Sequence, residues 1–364
     1  MPEKLRLGLV GSGGWAGDFL VPAILSHESA ALTAVCGRTR ERAVPLAAKS
    51  GAAVYTDYQD MIDDAGLDAV VVATPEDLHH PVVMAALAAG LHVLCEKPLA
   101  YTAEQSGEML AAAHRAGVKH MVQFTNRGLP HYRYVKQLLD DGYIGRPYHA
   151  SFTWATGWGP AAEVNPYNWP CDARRSTGAV GELGAHIFDL ARWYFGEVVC
   201  VSASLKTFVP HDGPDGQPME TANDSACVLL DFASGAHATV HVGSPSIIGP
   251  GLRQSGQIAV LSGSEGTLET RGDPWTDPPV SEIVGIRRGA TAAEILTIPT
   301  ASYAGTDPND VFAVFRRQSI GPRLFIDAIL QDRSITPSFF DGHQVQRIVE
   351  AAMTSQRTGE AQAP

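Results

Sequence analysis

Three stretches of this sequence carry residue types suited to one chemistry. Cys95-Glu96-Lys97-Pro98 closes an apolar run, Gly11-Ser12-Gly13-Gly14-Trp15-Ala16 follows another, and Glu182 and His186 stand four residues apart in a glycine-rich segment. A glycine turn between a strand and a helix lets the backbone approach a dinucleotide, and a lysine at the end of a later strand projects into the crevice beside it. A neutral imidazole can take a hydroxyl proton near neutral pH. An ammonium can stabilise the charge that develops on the same oxygen. The combination implies nucleotide-dependent chemistry on a small molecule.

In the turn, Gly11, Gly13 and Ala16 occupy the three fingerprint positions: tight turn, close approach to the pyrophosphate, and close helix packing. Gly11, Ser12, Gly13, Gly14 and Trp15 are therefore expected on the cofactor side, the alternative being an ordinary tight turn. The next strand ends in Val35-Cys36-Gly37-Arg38-Thr39-Arg40, with no carboxylate at its tip to bind a ribose 2′-hydroxyl. Arg38 and Arg40 can pair with a 2′-phosphate and Thr39 can add a donor. This favours NADP, with NAD possible; the other reading is a pair of solvated arginines at a helix start.

The elements that must hold these residues alternate. Apolar runs at Leu5 to Val10, Ala31 to Cys36, Asp68 to Ala73, Leu91 to Cys95 and Lys119 to Phe124 are separated by helical stretches, among them Leu78 to Ala89 and Thr102 to Ala116. Such alternation predicts an α/β fold with a doubly wound parallel sheet. Pro22 should kink the first helix or mark its first turns. After a helix at Pro130 to Asp141, alternating runs over Tyr148 to Trp154, Val198 to Phe208, Ser225 to Phe232, Ala236 to Val242, Gln257 to Ser262 and Gly266 to Thr270 predict a second, mostly antiparallel sheet. A helix over Ala185 to Phe195 interrupts them. Two terminal helices, Phe312 to Leu330 and Gly342 to Arg357, precede a tail expected to fray. The expected domains are 1–124 for the dinucleotide, 125–342 for substrate and oligomer contacts, and 343–364 as a C-terminal helix and tail.

The 364 residues exceed one ordinary core, and 45% hydrophobic with 18% charged residues describes a globular chain. The net charge of -12 argues against a general nucleic-acid binder. Five scattered cysteines without a C-x-x-C spacing read as reduced thiols, and no leader or long apolar span is evident, so the expected compartment is the cytoplasm. No metal site is expected. His79-His80 and His237/His241 lack a third partner at a zinc spacing, and Asp57, Asp60, Asp63 and Asp64 read as a solvated cluster.

These residues resemble the Gfo/Idh/MocA oxidoreductase family over nearly the whole chain. The marks are Gly11-Ser12-Gly13, Thr74-Pro75 followed by His79, Glu96-Lys97-Pro98, and Gly178-Ala179-Val180-Gly181-Glu182-Leu183-Gly184-Ala185-His186. The resemblance implies a Rossmann domain followed by an α/β domain with a large open sheet that commonly forms a homodimer or homotetramer contact. It implies NAD(P)-dependent oxidation or reduction of a sugar, cyclitol or related polyol. By the same resemblance Lys97 is the catalytic lysine and His186 the catalytic histidine, with Pro98 aiming the lysine. Thr74, Pro75, His79 and Glu96 fall on the cofactor side. Glu182 stands where the family usually has Asp, one methylene longer.

Asn126-Arg127 reads either as a turn or as a substrate contact. Trp154, Trp158, Tyr167 and Trp169 supply faces on which a sugar can stack, or pack a core. Asp189 either orients the His186 imidazole or pairs with Arg192 on the helix surface. Two other functions fit the same residues. One is a glycosidase that keeps its dinucleotide bound and works through a 3-keto intermediate. The other is a non-catalytic dinucleotide sensor, which has no need of Lys97 and His186.

Overall fold

The computed structural model describes residues 4–157, 167–248, 252 and 256–364, so Trp158 lies outside the described residues. The chain divides into two compact units: Met1–Gly128 with Phe312–Gln346, and Leu129–Val311 with Arg347–Pro364.

In the first unit, β1 (Leu5–Val10), β2 (Ala30–Cys36), β3 (Ala53–Tyr55), β4 (Ala69–Val72), β5 (His92–Glu96) and β6 (His120–Gln123) form one sheet in the order β3-β2-β1-β4-β5-β6. Every pairing is parallel. The apolar runs explain this, because parallel strands are covered by helices on both faces. Leu7, Leu9, Val70, Val72, Val93 and Leu94 are all buried. The strand order reverses between β1 and β4, and in such sheets ligands bind beyond the carboxyl ends of the strands at this point. The first helix begins with a π-helical turn, Ala16–Leu20, and continues as an α-helix at Val21–Leu25 with Pro22 in its first turn.

The second unit carries β7 (Pro147–Ala155), β8 (Val198–Lys206), β9 (Ser225–Phe232), β10 (His237–Gly243), β11 (Gly256–Gly263), β12 (Gly266–Asp273), β13 (Val280–Arg287) and β14 (Glu294–Ile295). Their order is β14-β13-β12-β11-β7-β10-β9-β8, antiparallel except for the parallel pair β7–β10. One face is packed: Ala226, Val228, Leu230, Ala238, Val240 and Val242 are buried and alternate with exposed Cys227, Leu229, His237, Thr239 and His241. The helix Gly184–Phe195 contacts β10 in this unit.

Several expectations change. The single helix read over Phe312 to Leu330 is a short 3-10 turn, Ala313–Arg316, and a separate helix, Pro322–Leu330; Gly321 at φ 53° and Pro322 in the first turn break it. Strands β3, β13 and β14 carry too little uninterrupted apolar pattern to be read in advance. The tail is not frayed: Gln362 and Val201 exchange two backbone hydrogen bonds of 2.8 Å, and Arg347 donates to the Pro364 carbonyl. Among the described residues no helix is long and apolar enough to cross a membrane.

Candidate active site

The nucleotide side lies at the carboxyl ends of four parallel strands. Gly11 follows β1 at φ 119°, and a Cβ there would collide with the carbonyl group of Ala73. Only glycine meets both demands. A Cβ on Gly13 would meet nothing within 4 Å, so the backbone there is open to a close-lying ligand. After β4, Thr74 Oγ1 is buried with no hydrogen-bond partner among the described residues. An open glycine and an orphaned hydroxyl at the strand-order reversal suit a dinucleotide. At the end of β2, Arg38, Thr39 and Arg40 are all exposed, and Thr39 precedes the helix Arg40–Ala47 without capping it through its side chain.

Lys97 follows β5, half-buried, and the Lys97-Pro98 peptide is cis. Glu96 is buried: one carboxylate oxygen accepts from Trp15 Nε1 at 2.7 Å, the other from the Lys97 amide at 3.2 Å. Pro75 precedes the short turn Glu76–Leu78. His79 is only 1% exposed, and its ring nitrogens face the carbonyl oxygens of Pro98 and Thr74, each at 2.9 Å. Burial pushes the Cys36 thiol up to about 11, helped by Asp57 and Asp60, and burial raises Cys95 too, with Glu96 adding to it. Both thiols stay protonated and inert. After β6, Asn126 is buried in the turn Thr125–Gly128, and Arg127 bonds to Thr336 and Asp341, each at 3.3 Å.

In the second unit, Glu182 closes the short helical turn Ala179–Glu182, and His186 sits in the first turn of the helix Gly184–Phe195. From Ala179 to Leu190 these two are the residues that are not buried. The i,i+4 spacing thus yields one accessible edge on an otherwise enclosed segment. The Trp154 ring meets the His186 imidazole edge-on at 5.7 Å. Asp189 is fully buried rather than at the surface, and Arg192 chelates Glu197 through bonds of 3.0 and 2.6 Å.

Sequence reasoning missed the residue that holds this turn. Asn223, at the entry to β9, accepts from the Val180 amide at 3.0 Å through Oδ1 and from the Ala179 amide at 2.7 Å through its own carbonyl, and donates to the Thr177 carbonyl at 2.7 Å. It caps a helix start 43 residues away in sequence. Glu182 opens into a cavity of about 190 Å³, whose walls include Asn168, His211, Thr221, Asn223, Asp224 and Ser244. No local motif marks these polar residues. Trp169 lies half-buried in the turn Trp169–Cys171. Nearby, Arg174 holds the buried Asp172 carboxyl below the usual carboxylate range through bonds of 3.0 and 2.9 Å. Among the described residues no three His, Cys, Asp or Glu gather as a metal would require.

Residues 5–124 match the model of an oxidoreductase family with an NAD-binding Rossmann fold, and residues 132–269 match the GFO/IDH/MocA C-terminal domain. Levoglucosan dehydrogenase of Pseudarthrobacter phenanthrenivorans is 30% identical over 325 residues, covering 82% of this chain and 80% of that protein. Inositol 2-dehydrogenase of Rhizobium meliloti is 28% identical over 362 residues, 96% of each. A solved levoglucosan dehydrogenase in complex with NADH and levoglucosan superposes with a TM-score of 0.85 at 25% identity over 99% of both chains. An NAD binding oxidoreductase from Klebsiella pneumoniae superposes at 0.82 with 30% identity, again over 99% of both.

Proposed function

The chain belongs to the Gfo/Idh/MocA family of oxidoreductases, and from that premise we propose that it is a dehydrogenase or reductase of a sugar, cyclitol or related polyol. The observation that carries this reading is the accessible pair Glu182 and His186 on an otherwise buried segment, with the Trp154 ring against the imidazole. The glycine turn would hold the pyrophosphate through Gly11, Ser12, Gly13, Gly14 and Trp15, with Thr74 and Pro75 on the same side. When bound, the dinucleotide supplies hydride acceptance or donation at nicotinamide C4.

The chain's own residues handle the proton. A ring nitrogen of His186 takes the proton of the substrate hydroxyl during oxidation and returns it during reduction. Lys97 Nζ donates a hydrogen bond to the reacting oxygen and stabilises it as charge develops. Glu182 accepts from neighbouring hydroxyls and fixes which one is presented. Half-buried Trp169 provides further substrate-side surface, whereas Trp154 and Asn126 are buried and Arg127 is engaged by Thr336 and Asp341. Exposed Arg38, Thr39 and Arg40 support a preference for NADP over NAD. The open face of the second sheet, with Leu229 57% exposed, supports a homodimer or homotetramer.

The test is turnover. Purified protein with NADP or NAD is challenged with levoglucosan, inositols, aldoses and glycosides, following the absorbance of reduced nicotinamide. Substrate-dependent reduction, absent in Lys97→Ala, is the expected result. Lower KM for NADP is expected, and Arg38→Ser should raise that KM without affecting NAD. Aglycone release with no net change in cofactor would assign a glycosidase instead.

A further inference from the structure

Lys97 sits between two braces, both reaching it from turns assigned to the dinucleotide. On its amino side, Trp15 donates to Glu96, and Glu96 accepts the Lys97 amide. Trp15 is itself seated, stacked on Phe19 at 4.3 Å and edge-on to Phe312 at 6.0 Å. On the carboxyl side, His79 Nδ1 lies 2.9 Å from the Pro98 carbonyl oxygen while Nε2 lies 2.9 Å from that of Thr74. We propose that Trp15 and His79 are positioning residues that set the backbone of Lys97 and couple it to the glycine turn and the Thr74-Pro75 turn. The proposal rests on the reading of Lys97 as the residue that meets the reacting oxygen.

The chemistry of the two braces is specific. A carboxylate between two N–H donors is a charge-assisted bridge, stronger than a neutral one. Carbonyl oxygens only accept, so a ring facing one at each nitrogen must donate from both. The brace therefore requires His79, in its buried place, to carry a proton on both ring nitrogens. Glu76, also buried, lies three residues before it in the turn Glu76–Leu78 that precedes its helix, and Lys97 lies next to Pro98. A small displacement of a residue at the reacting atoms lowers rate far more than it lowers binding.

The variants separate these effects. Trp15→Phe keeps an aromatic ring for Phe19 and loses the donor; kcat is expected to fall about tenfold, a larger factor than any change in the dinucleotide Kd. His79→Gln, which cannot span both carbonyls rigidly, is expected to act in the same sense. In a Glu96→Ala background Trp15→Phe should have no further effect, because it acts through Glu96. Unchanged kcat in Trp15→Phe, or full additivity with Glu96→Ala, overturns the proposal.

A second readout needs neither turnover nor a variant that folds. Nitrogen-15 spectra of the wild-type protein at neutral pH should show His79 protonated at both ring nitrogens, and the Lys97 amide should be protected from hydrogen exchange. A singly protonated ring and a freely exchanging amide overturn the braces. If the wild-type protein binds dinucleotide but turns over no polyol, the function proposed above fails, and these spectra still decide whether the braces exist.

Discussion

Lys97 and His186 are placed by opposite means. Lys97 stands at the end of a parallel strand, between a buried carboxylate and a cis-proline, with constraints that come from residues near it in the sheet. His186 stands on a helix whose preceding turn is capped by Asn223, from the entry to β9. The first arrangement is built on the backbone at a strand's carboxyl end. The second is built from side chains beside a cavity walled by residues distant in the sequence. The difference separates a placement made by residues packed around one strand end from one made by a residue 43 positions along the chain from the Val180 amide it accepts.

The largest expected effect tests that separation directly. Lys97→Ala should lower kcat about 10³-fold and His186→Ala about 10²-fold, both leaving the dinucleotide Kd within a few-fold. Equilibrium titration with cofactor checks the second half of the statement; loss of cofactor binding in His186→Ala would break the comparison. Next comes Gly11→Ala, which drives a methyl group into the Ala73 carbonyl at a positive φ. It should abolish measurable dinucleotide binding and destabilise the fold by about 2–3 kcal/mol in a denaturant melt.

Asn223→Ala should cost about 1–2 kcal/mol, as the loss of a helix cap does. Its signature is a several-fold rise in KM for the polyol with an unchanged Kd for the dinucleotide. Equal rises in both constants would contradict the reading that Asn223 acts through the turn Ala179–Glu182. The smallest effect concerns acid. Burial, more than the nearby His114 and Lys119, pushes His120 down to about 4, and burial alone pushes His131 to about 4. An unfolded imidazole titrates at about 6.5. As pH falls below that value the unfolded chain binds protons the folded chain refuses, so stability declines until about pH 4. Thermal melts across this interval should slope downward, and His131→Asn should flatten the slope; a flat wild-type profile would refute the assignment.

The nucleotide side was largely legible in the sequence because its signals are local. Gly11 and Gly13 flank one turn, and Lys97 sits between Glu96 and Pro98. Glu182 and His186 were legible for the same reason, being one helical turn apart. Asn223, His211 and Asp224 were not, because the polar wall they form comes from the connection between β8 and β9 folding back on the turn Ala179–Glu182, not from a local motif. His79 illustrates a third case. Its position was evident, whereas its burial between two carbonyl oxygens depends on how β4 and β5 lie side by side.

The ordered tail has a consequence for solubility. β8 is the last strand of its sheet, and a bare edge strand is a template on which a neighbouring molecule can add its own. Here the outward amides of Val201, Ala203 and Leu205 are taken in turn by the Gln362 carbonyl, Ser355 Oγ and Gln356 Oε1, at 2.8, 3.0 and 2.8 Å. Three alternate residues of the strand are thereby occupied from within the same chain. The final residues act as a guard against strand-to-strand aggregation, and a variant shortened before Ser355 would offer three aligned donors to the first extended chain it met.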